Sequence, residues 1–405
     1  MYIKRHAEAT IQALAKQFGA VLVTGPRQVG KTTMLQYILD DMNYVTMDDA
    51  ILRAAAVEST NTFIKDNPPP LFIDEVQKAP EVFPAIKMSL DASRKKGQFF
   101  LTGSQQFRMM KHVSESLAGR VGILNLLGLS MREISGVDDQ TSFMPTEDYF
   151  ASRKKQLSSL GYDAVWKLIW RGCMPELTAN PEFDWQMFYG AYVITYVERD
   201  VKELAQVGDE VKFTRFMTVL AARNGQLLNL QSAANDAGIS QPTADRWLSI
   251  LKASHIVYLL PPYSNNRTTR AVKTPKMYFL DTGLAAYLSR WNTVETLKNG
   301  AMAGAFFEAF VLSEIVKSYY NRGVLEPPLY FYRDKDMKEI DILIEENGTL
   351  YPLEVTKHAD PSVHDLDNFS VLDHFANRGS GGVICLYDRL ITLRGQDRAI
   401  PVCYL

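Results

Sequence analysis

Three short apolar runs stand out in the first third of the chain, at residues 20–24, 71–74 and 99–102, each ending in a polar residue. Helix-length amphipathic stretches separate them. That rhythm predicts a parallel α/β sheet, because strands covered on both faces read as continuous apolar runs and their crossovers are helices. Residues 130–208 lose the strand signal and carry Trp, Tyr and charged side chains at helical spacing, notably over 189–204, which predicts a helical connector. From Val211 a helical unit leads into the apolar run 256–260, a turn rich in Pro and Asn, and a second apolar run at 277–280. From about Gly304 the order reads helix, strand hairpin, helix, and two last strands at 382–387 and 400–405. The pattern divides the chain into an α/β sheet domain at 1–136, a helical connector at 137–208, a small helix-and-strand domain at 209–290 and a C-terminal α/β domain at 291–405. No internal repeat interrupts it.

Composition adds bounds. The 405 residues are 46% hydrophobic and 22% charged, which is ordinary for a soluble globular protein and excludes a disordered chain. The 44 basic and 46 acidic side chains leave a net charge of −2, so any nucleic-acid contact must come from a local basic patch. Cys173, Cys385 and Cys403 are too few and too scattered for a disulfide framework or a zinc site, which fits a reducing compartment. The N-terminal stretch lacks an apolar signal core, and no window approaches the roughly 18 apolar residues of a membrane span. The expectation is a cytoplasmic protein with no membrane partner.

The segment Gly25-Pro26-Arg27-Gln28-Val29-Gly30-Lys31-Thr32, continued by Thr33, matches GxxxxGK[ST] and lies between a strand and an amphipathic run. Glycines there let backbone N–H groups curl around phosphate oxygens while the helix N-terminus adds partial positive charge. Lys31 would reach the β and γ phosphates and the Thr32 hydroxyl would ligate Mg²⁺. The strand at 71–74 ends in Asp74-Glu75, which a parallel sheet brings to the same edge. Asp74 would hold Mg²⁺ through water and Glu75 would polarise the attacking water. Thr102, at the end of the third run, would sense the γ phosphate. Downstream, Arg120 would stabilise transition-state charge, in cis or across a subunit interface of a homo-oligomer, or is a plain surface arginine.

GPRQVGKTT, LFIDEVQKAP, FFLTGSQQF, SLAGRV and LGLSMREI, with YVERDVKEL, KTPKMYFLDTGL, EIDILI and LYPLEVTK further on, resemble a prokaryotic AAA+ ATPase fused to a DUF4143 domain. The resemblance covers nearly the whole chain and implies a P-loop AAA+ parallel-sheet domain that binds ATP. Its physiological task is not implied.

In the third segment, the spacing of Ala234, Gly238, Ala244 and Trp247 fits two helices crossed at a tight turn, as in a winged helix, with Ile239, Leu248 and Leu251 in the core. The second helix offers only Arg246 and Lys252 as cations, opposed by Asp245. Arg267, Arg270, Lys273 and Lys276, with Asn265 and Asn266, form a wing patch that would grip DNA phosphates without reading sequence. Protein docking is the other use of such a unit.

The runs 339–344 and 350–355 flank Asn347-Gly348, the favoured two-residue hairpin turn. That register sets Asp341 opposite Glu354, with β-carbons about 4.5–5.5 Å apart. Like charges so placed call for a divalent cation between them. Glu308, in a helical run, would add a third carboxylate, and Lys357 would orient a water if the strand end twists. The order resembles a PD-(D/E)xK nuclease, a restriction-endonuclease-like fold, although Glu354 to Lys357 is one residue longer than the family's ExK. It implies a magnesium-dependent phosphodiesterase site or a fold kept for protein contact. His112, His255, His358 and His364 follow no metal-ligand spacing and read as core or surface residues. The combined expectation is an ATP- and Mg²⁺-dependent ATPase whose nucleotide state controls the C-terminal half, acting on DNA or as a slow switch for a protein partner.

Overall fold

The computed structural model describes residues 2–39, 42–103, 115–157, 160–196, 210–264, 274–374 and 377–405. Five strands, β1 (Ala20–Thr24), β2 (Asn43–Thr46), β3 (Leu71–Asp74), β4 (Phe99–Gly103) and β5 (Val121–Asn125), form one sheet in the order β2-β3-β4-β1-β5. Every neighbouring pair is parallel. β1, β3 and β4 are the three apolar runs and are buried throughout. Alternation sends Ala20, Leu22, Ile73 and Leu101 into a core on one face, with Phe83 and Ile86 of helix Val82–Ser93. Val21, Val23, Phe72 and Phe100 enter a second core on the other face, and that core continues without a break into the rest of the protein.

Between 130 and 264 the described residues form helices until β6 (Gln226–Leu227). Helices Leu230–Ala237 and Gln241–Ala253 meet at Gly238, whose φ of 70° makes the tight turn. Ala233, Ala234, Ala237, Ala244, Leu248 and Leu251 are buried there, and Trp247 packs on Phe213 and Phe216 at 5.0 and 5.8 Å between ring centroids. β6, β7 (Val257–Leu260) and β8 (Lys276–Phe279) complete the unit as an antiparallel sheet in the order β6-β8-β7. Arg267, Arg270, Lys273, Asn265, Asn266 and His112 lie outside the described residues.

The C-terminal sheet has the order β13-β14-β12-β11-β10-β9, built from β9 (Leu329–Arg333), β10 (Glu339–Glu346), β11 (Thr349–Val355), β12 (Gly382–Cys385), β13 (Ile391–Arg394) and β14 (Asp397–Pro401). β10 and β11 pair in the register expected from the turn, with Ile342 opposite Leu353 and Ile344 opposite Tyr351. Asn347 and Gly348 both have positive φ, 51° and 76°, as a two-residue hairpin turn of this kind requires. The helix Ala303–Tyr320, buried along most of its length, packs against β8 and β11. No described helix is long and apolar enough to cross a membrane.

Candidate functional site

The loop at residues 25–30 turns the chain from β1 into helix Lys31–Ile38. Gly25, at φ +145°, lies so close to Leu126 that a Cβ would sit 1.9 Å from its carbonyl oxygen. Gly30, at φ +86°, makes the left-handed entry to the helix. The Lys31 ammonium folds back over the loop and donates to the Gly25 and Pro26 carbonyls at 3.0 and 2.7 Å. Asp74 stands at the end of β3 and is buried. Its Oδ1 accepts the Thr32 hydroxyl at 2.8 Å and also the Thr102 hydroxyl, and its Oδ2 accepts Tyr44 Oη at 3.3 Å. Burial, then the Asp74 charge, raises the Tyr44 phenol. Glu75, one residue on, has φ 53° and accepts a hydrogen bond from the Gln77 amide. Lys31, Thr32, Asp74 and Thr102 thus converge at one edge of the sheet, but Thr102 spends its hydroxyl on Asp74 instead of presenting it outward.

Arg120 is elsewhere. Its carbonyl accepts Ala20 N–H at 3.1 Å, which places it at the start of β1, roughly 16 Å of strand away from the phosphate loop. Its guanidinium donates to Asp91 at 2.6 and 3.1 Å, and this cation lowers the Asp91 carboxyl. An action of Arg120 in cis on the loop is therefore corrected: β5 runs parallel to β1, so the residue just before it returns to the sheet's opposite edge.

Arg5 was not singled out from the sequence. Buried to 3% exposure, it donates from Nη1 to Val29 O at 2.8 Å, from Nη2 to Leu127 and Gly128 carbonyls at 2.8 and 3.3 Å, and from Nε to Glu133 at 3.0 Å. Burial pushes the Glu133 carboxyl up, but Arg5, His6 and backbone N–H donors outweigh it and hold the group below its ordinary value. Glu133 also closes a capping box with Ser130. One guanidinium therefore pins the phosphate loop to the chain after β5. Nothing local marks it out in the sequence, where Lys4, Arg5 and Glu8 stand close together as on an ordinary solvated segment.

The second constellation lies in the C-terminal domain. Glu308, Asp341 and Glu354 do come together, joined by Glu339. Burial first, then the facing Asp341, pushes both Glu354 and Glu308 well above the ordinary glutamate range. What sits among them is an ammonium: Lys276 Nζ lies 3.1 Å from Glu308, 2.5 Å from Glu339 and 3.4 Å from Asp341. Lys276 is 4% exposed. Burial lowers its pKa, and the three carboxylates raise it by more. Tyr278, two residues along β8 and so on the same face, donates its hydroxyl to Glu308. Asp341 Oδ2 also accepts Val355 N–H at 3.0 Å.

One expectation is corrected by this arrangement: Lys276 is not available to DNA phosphates. Lys357 is half-buried just beyond the end of β11. A lysine brought by the middle unit holds the place expected of a divalent cation, and among the described residues no group of three His, Cys, Asp or Glu is arranged to hold a metal. The missed signal was a lysine and a tyrosine on one face of an otherwise apolar strand.

Three family models match successive parts of the chain. The AAA domain family matches residues 17–135, a domain of unknown function (DUF8612) matches 162–295, and a second domain of unknown function (DUF4143) matches 303–405. Uncharacterized proteins of Mycobacterium tuberculosis and Mycobacterium bovis are each 28% identical over 362 residues, covering 89% of this chain and 75% of theirs. Among solved structures, a Walker-type ATPase of Pyrococcus abyssi is 13% identical, covers 71% of this chain and 96% of its own, and has a TM-score of 0.45. The RuvB Holliday junction branch migration motor of Thermotoga maritima is 16% identical, covers 63% and 87%, and has a TM-score of 0.29. Models of an AAA domain and of DUF4143 thus match successive parts of one polypeptide.

Proposed function

We propose that the protein binds Mg-ATP on residues 25–33 and hydrolyses it, and that the nucleotide state acts on the C-terminal half. The observation that carries this reading is the 2.8 Å hydrogen bond from Thr32 to Asp74 beside the Lys31 ammonium. A hydroxyl and a carboxylate side by side are hard oxygen donors of the kind Mg²⁺ takes. When bound, Mg²⁺ neutralises charge on the β and γ phosphates. The backbone N–H groups of 25–33, Pro26 excepted, cradle the phosphates, Lys31 adds a point charge, and Arg5 holds the loop in shape through Val29. Glu75, steadied by Gln77, takes the proton of the attacking water.

The test is a binding titration and a phosphate-release assay on purified protein. Lys31→Ala should lose Mg-ATP affinity while keeping the wild-type circular dichroism. Glu75→Gln should bind as tightly and turn over about 10²-fold or more slowly. Wild-type affinity in the first variant, or wild-type turnover in the second, overturns the assignment.

For the C-terminal half, the seat of Lys276 favours the switch reading over DNA cleavage. An internal cation that already balances the carboxylates ties the middle unit to the C-terminal sheet, and such a contact can be made or broken as a unit. The substrate of a switch is a protein partner. Cleavage of labelled duplex or single-stranded DNA by wild type in Mg²⁺ would reverse this preference.

A further inference from the structure

Tyr44 stands on β2, the edge strand of the first sheet, and its hydroxyl reaches the carboxylate at the centre of the phosphate site. The parallel register sets Thr46 beside Asp74 and Tyr44 beside Phe72. Alternate residues of a strand share a face, so Tyr44 lies on the face that carries Phe72 and Asp74. The Tyr44 and Phe72 ring centroids are 5.1 Å apart, and from that seat the phenol oxygen lies 3.3 Å from Asp74 Oδ2. Phenylalanine would make the ring contact equally well. The hydroxyl needs its own account, because Tyr44 is 42% exposed and water alone would satisfy its oxygen.

An ionised carboxylate offers about four acceptor positions, shared equally by its two oxygens. On Asp74 Oδ1 both are taken, by the Thr32 hydroxyl at 2.8 Å and by the Thr102 hydroxyl. On Oδ2 one is taken by Tyr44, and no second donor reaches that oxygen among the described residues. The open position on this buried side chain is therefore on the oxygen that Tyr44 holds. Asp74 would hold Mg²⁺ through a water, and such a water needs that position. Burial and then the Asp74 charge raise the Tyr44 phenol, so at neutral pH it keeps its proton and stays a donor.

We propose that Tyr44 is a positioning residue for the metal side of the phosphate site: its phenol fixes Asp74 Oδ2 and so sets which acceptor position is left for an ion-bound water. The proposal rests on the Mg-ATP reading above and deepens it. Tyr44 acts through Asp74 and need not touch the ion or the nucleotide. Its effect falls on metal affinity, whereas the hold on the nucleotide itself depends on Lys31 and the loop backbone. Ring and hydroxyl then have separate tasks, one on Phe72 and one on Asp74.

The experiment uses the full chain with Tyr44→Phe and Asp74→Asn, singly and together. Affinity for a fluorescent ATP analogue is titrated in EDTA and across a Mg²⁺ series, phosphate release is followed over the same series, and the nucleotide-free Tm is read by thermal unfolding. Tyr44→Phe should bind the analogue in EDTA as wild type does and need about fivefold more Mg²⁺ for half-saturation, the worth of one ordinary hydrogen bond. Its turnover should return to wild type in excess Mg²⁺, and its nucleotide-free Tm should stay at the wild-type value because the ring remains on Phe72. In the Asp74→Asn background, where the carboxylate is gone, Tyr44→Phe should move the Mg²⁺ dependence of analogue binding no further. An unchanged Mg²⁺ dependence in Tyr44→Phe overturns the proposal, and so does an equal shift in the Asp74→Asn background. If Tyr44→Phe lowers the nucleotide-free Tm and excess Mg²⁺ does not restore turnover, the hydroxyl is structural and the proposal also falls. A wild type that binds no nucleotide refutes the ATP reading itself, a result distinct from a wild type that binds and a Tyr44→Phe variant that answers to Mg²⁺ identically.

Discussion

Replacing Lys276 by methionine tests the C-terminal cluster most sharply. Methionine fills similar space with no charge. It leaves Glu308, Glu339, Asp341 and Glu354 facing one another without the ammonium that now lies 2.5–3.4 Å from three of them. Removing one member of a buried ion cluster costs about 3–5 kcal/mol, because the remaining charges stay buried and uncompensated. Two carboxylates about 5 Å apart at an effective dielectric of 20 repel by roughly 3 kcal/mol, which is enough to drive proton uptake. The loss should therefore be large at pH 8 and smaller near pH 3, where most carboxyls of the unfolded chain are protonated. For a unit of this size, about 3–5 kcal/mol corresponds to a fall in Tm on the order of 10 °C. The vacated position then has the charge of a divalent site, so millimolar Mn²⁺ should restore stability in the variant. The gain is about 2.7 kcal/mol when the ion is at 100 times its Kd, while the wild type responds little. Thermal unfolding of both proteins at the two pH values, with and without Mn²⁺, is the assay. A variant as stable as wild type at pH 8 and deaf to Mn²⁺ would refute the claim that this lysine holds the cluster together.

Glu354→Gln should stabilise the protein above neutral pH and change little near pH 4. The folded state keeps a proton on Glu354 that the unfolded chain releases above its ordinary 4.5, so this group's contribution is present below that value and lost as pH rises; a pH-independent effect in unfolding titrations counts against it. Arg5→Met should cost about 3–5 kcal/mol by leaving Glu133 buried and alone. It should also weaken nucleotide binding, and Arg5→Lys should not rescue either, since an ammonium cannot span Val29, Leu127 and Glu133 together. Arg120→Ala should leave ATP turnover of dilute protein unchanged, as its place at the far edge of the sheet requires; a fall that depends on protein concentration would instead assign it to a neighbouring copy in a homo-oligomer.

Legibility in the sequence followed the range of the interactions. Residues 25–33 were readable because a phosphate loop is a local object, with strand, glycines, lysine and helix contiguous. The hairpin was readable because Asn347-Gly348 sets a register by arithmetic, and the observed pairs keep it. β2 and β5 escaped notice. β2 is an edge strand with only Val45 buried, and β5 alternates half-buried and buried positions instead of running apolar throughout. Lys276 was misread because its meaning depends on Asp341, 65 residues away, and on a fold that lays β8 beside helix Ala303–Tyr320. From composition alone a lysine near Arg267 and Arg270 belongs to a basic patch; only burial turns it into a counter-ion. The cis reading of Arg120 failed for a related reason, since which edge of the sheet a residue reaches depends on strand order.

The helix Ala303–Tyr320 shows how the two halves are joined. Glu308 faces the carboxylate cluster, while Glu314 accepts Met131 N–H at 2.7 Å and Lys317 donates to Leu129 O at 3.0 Å. Glu308 and Lys317 are nine residues apart, about 13.5 Å along one helix. The segment they reach begins at Leu126, whose N–H bonds Thr24 O at 2.8 Å, one residue before Gly25. Two groups of polar contacts, one beside the chain next to the phosphate loop and one at Lys276, therefore sit on a single helix. Lys317 is buried and paired to Glu314 at 2.7 Å, so burial lowers its pKa and the neighbouring anions raise it by more. A helix does not shorten under load, and closely packed interiors rearrange between discrete states instead of deforming smoothly. Movement at Gly25 and Leu126 must then either leave the cluster untouched or shift the whole helix against Lys276, and a switch needs the second.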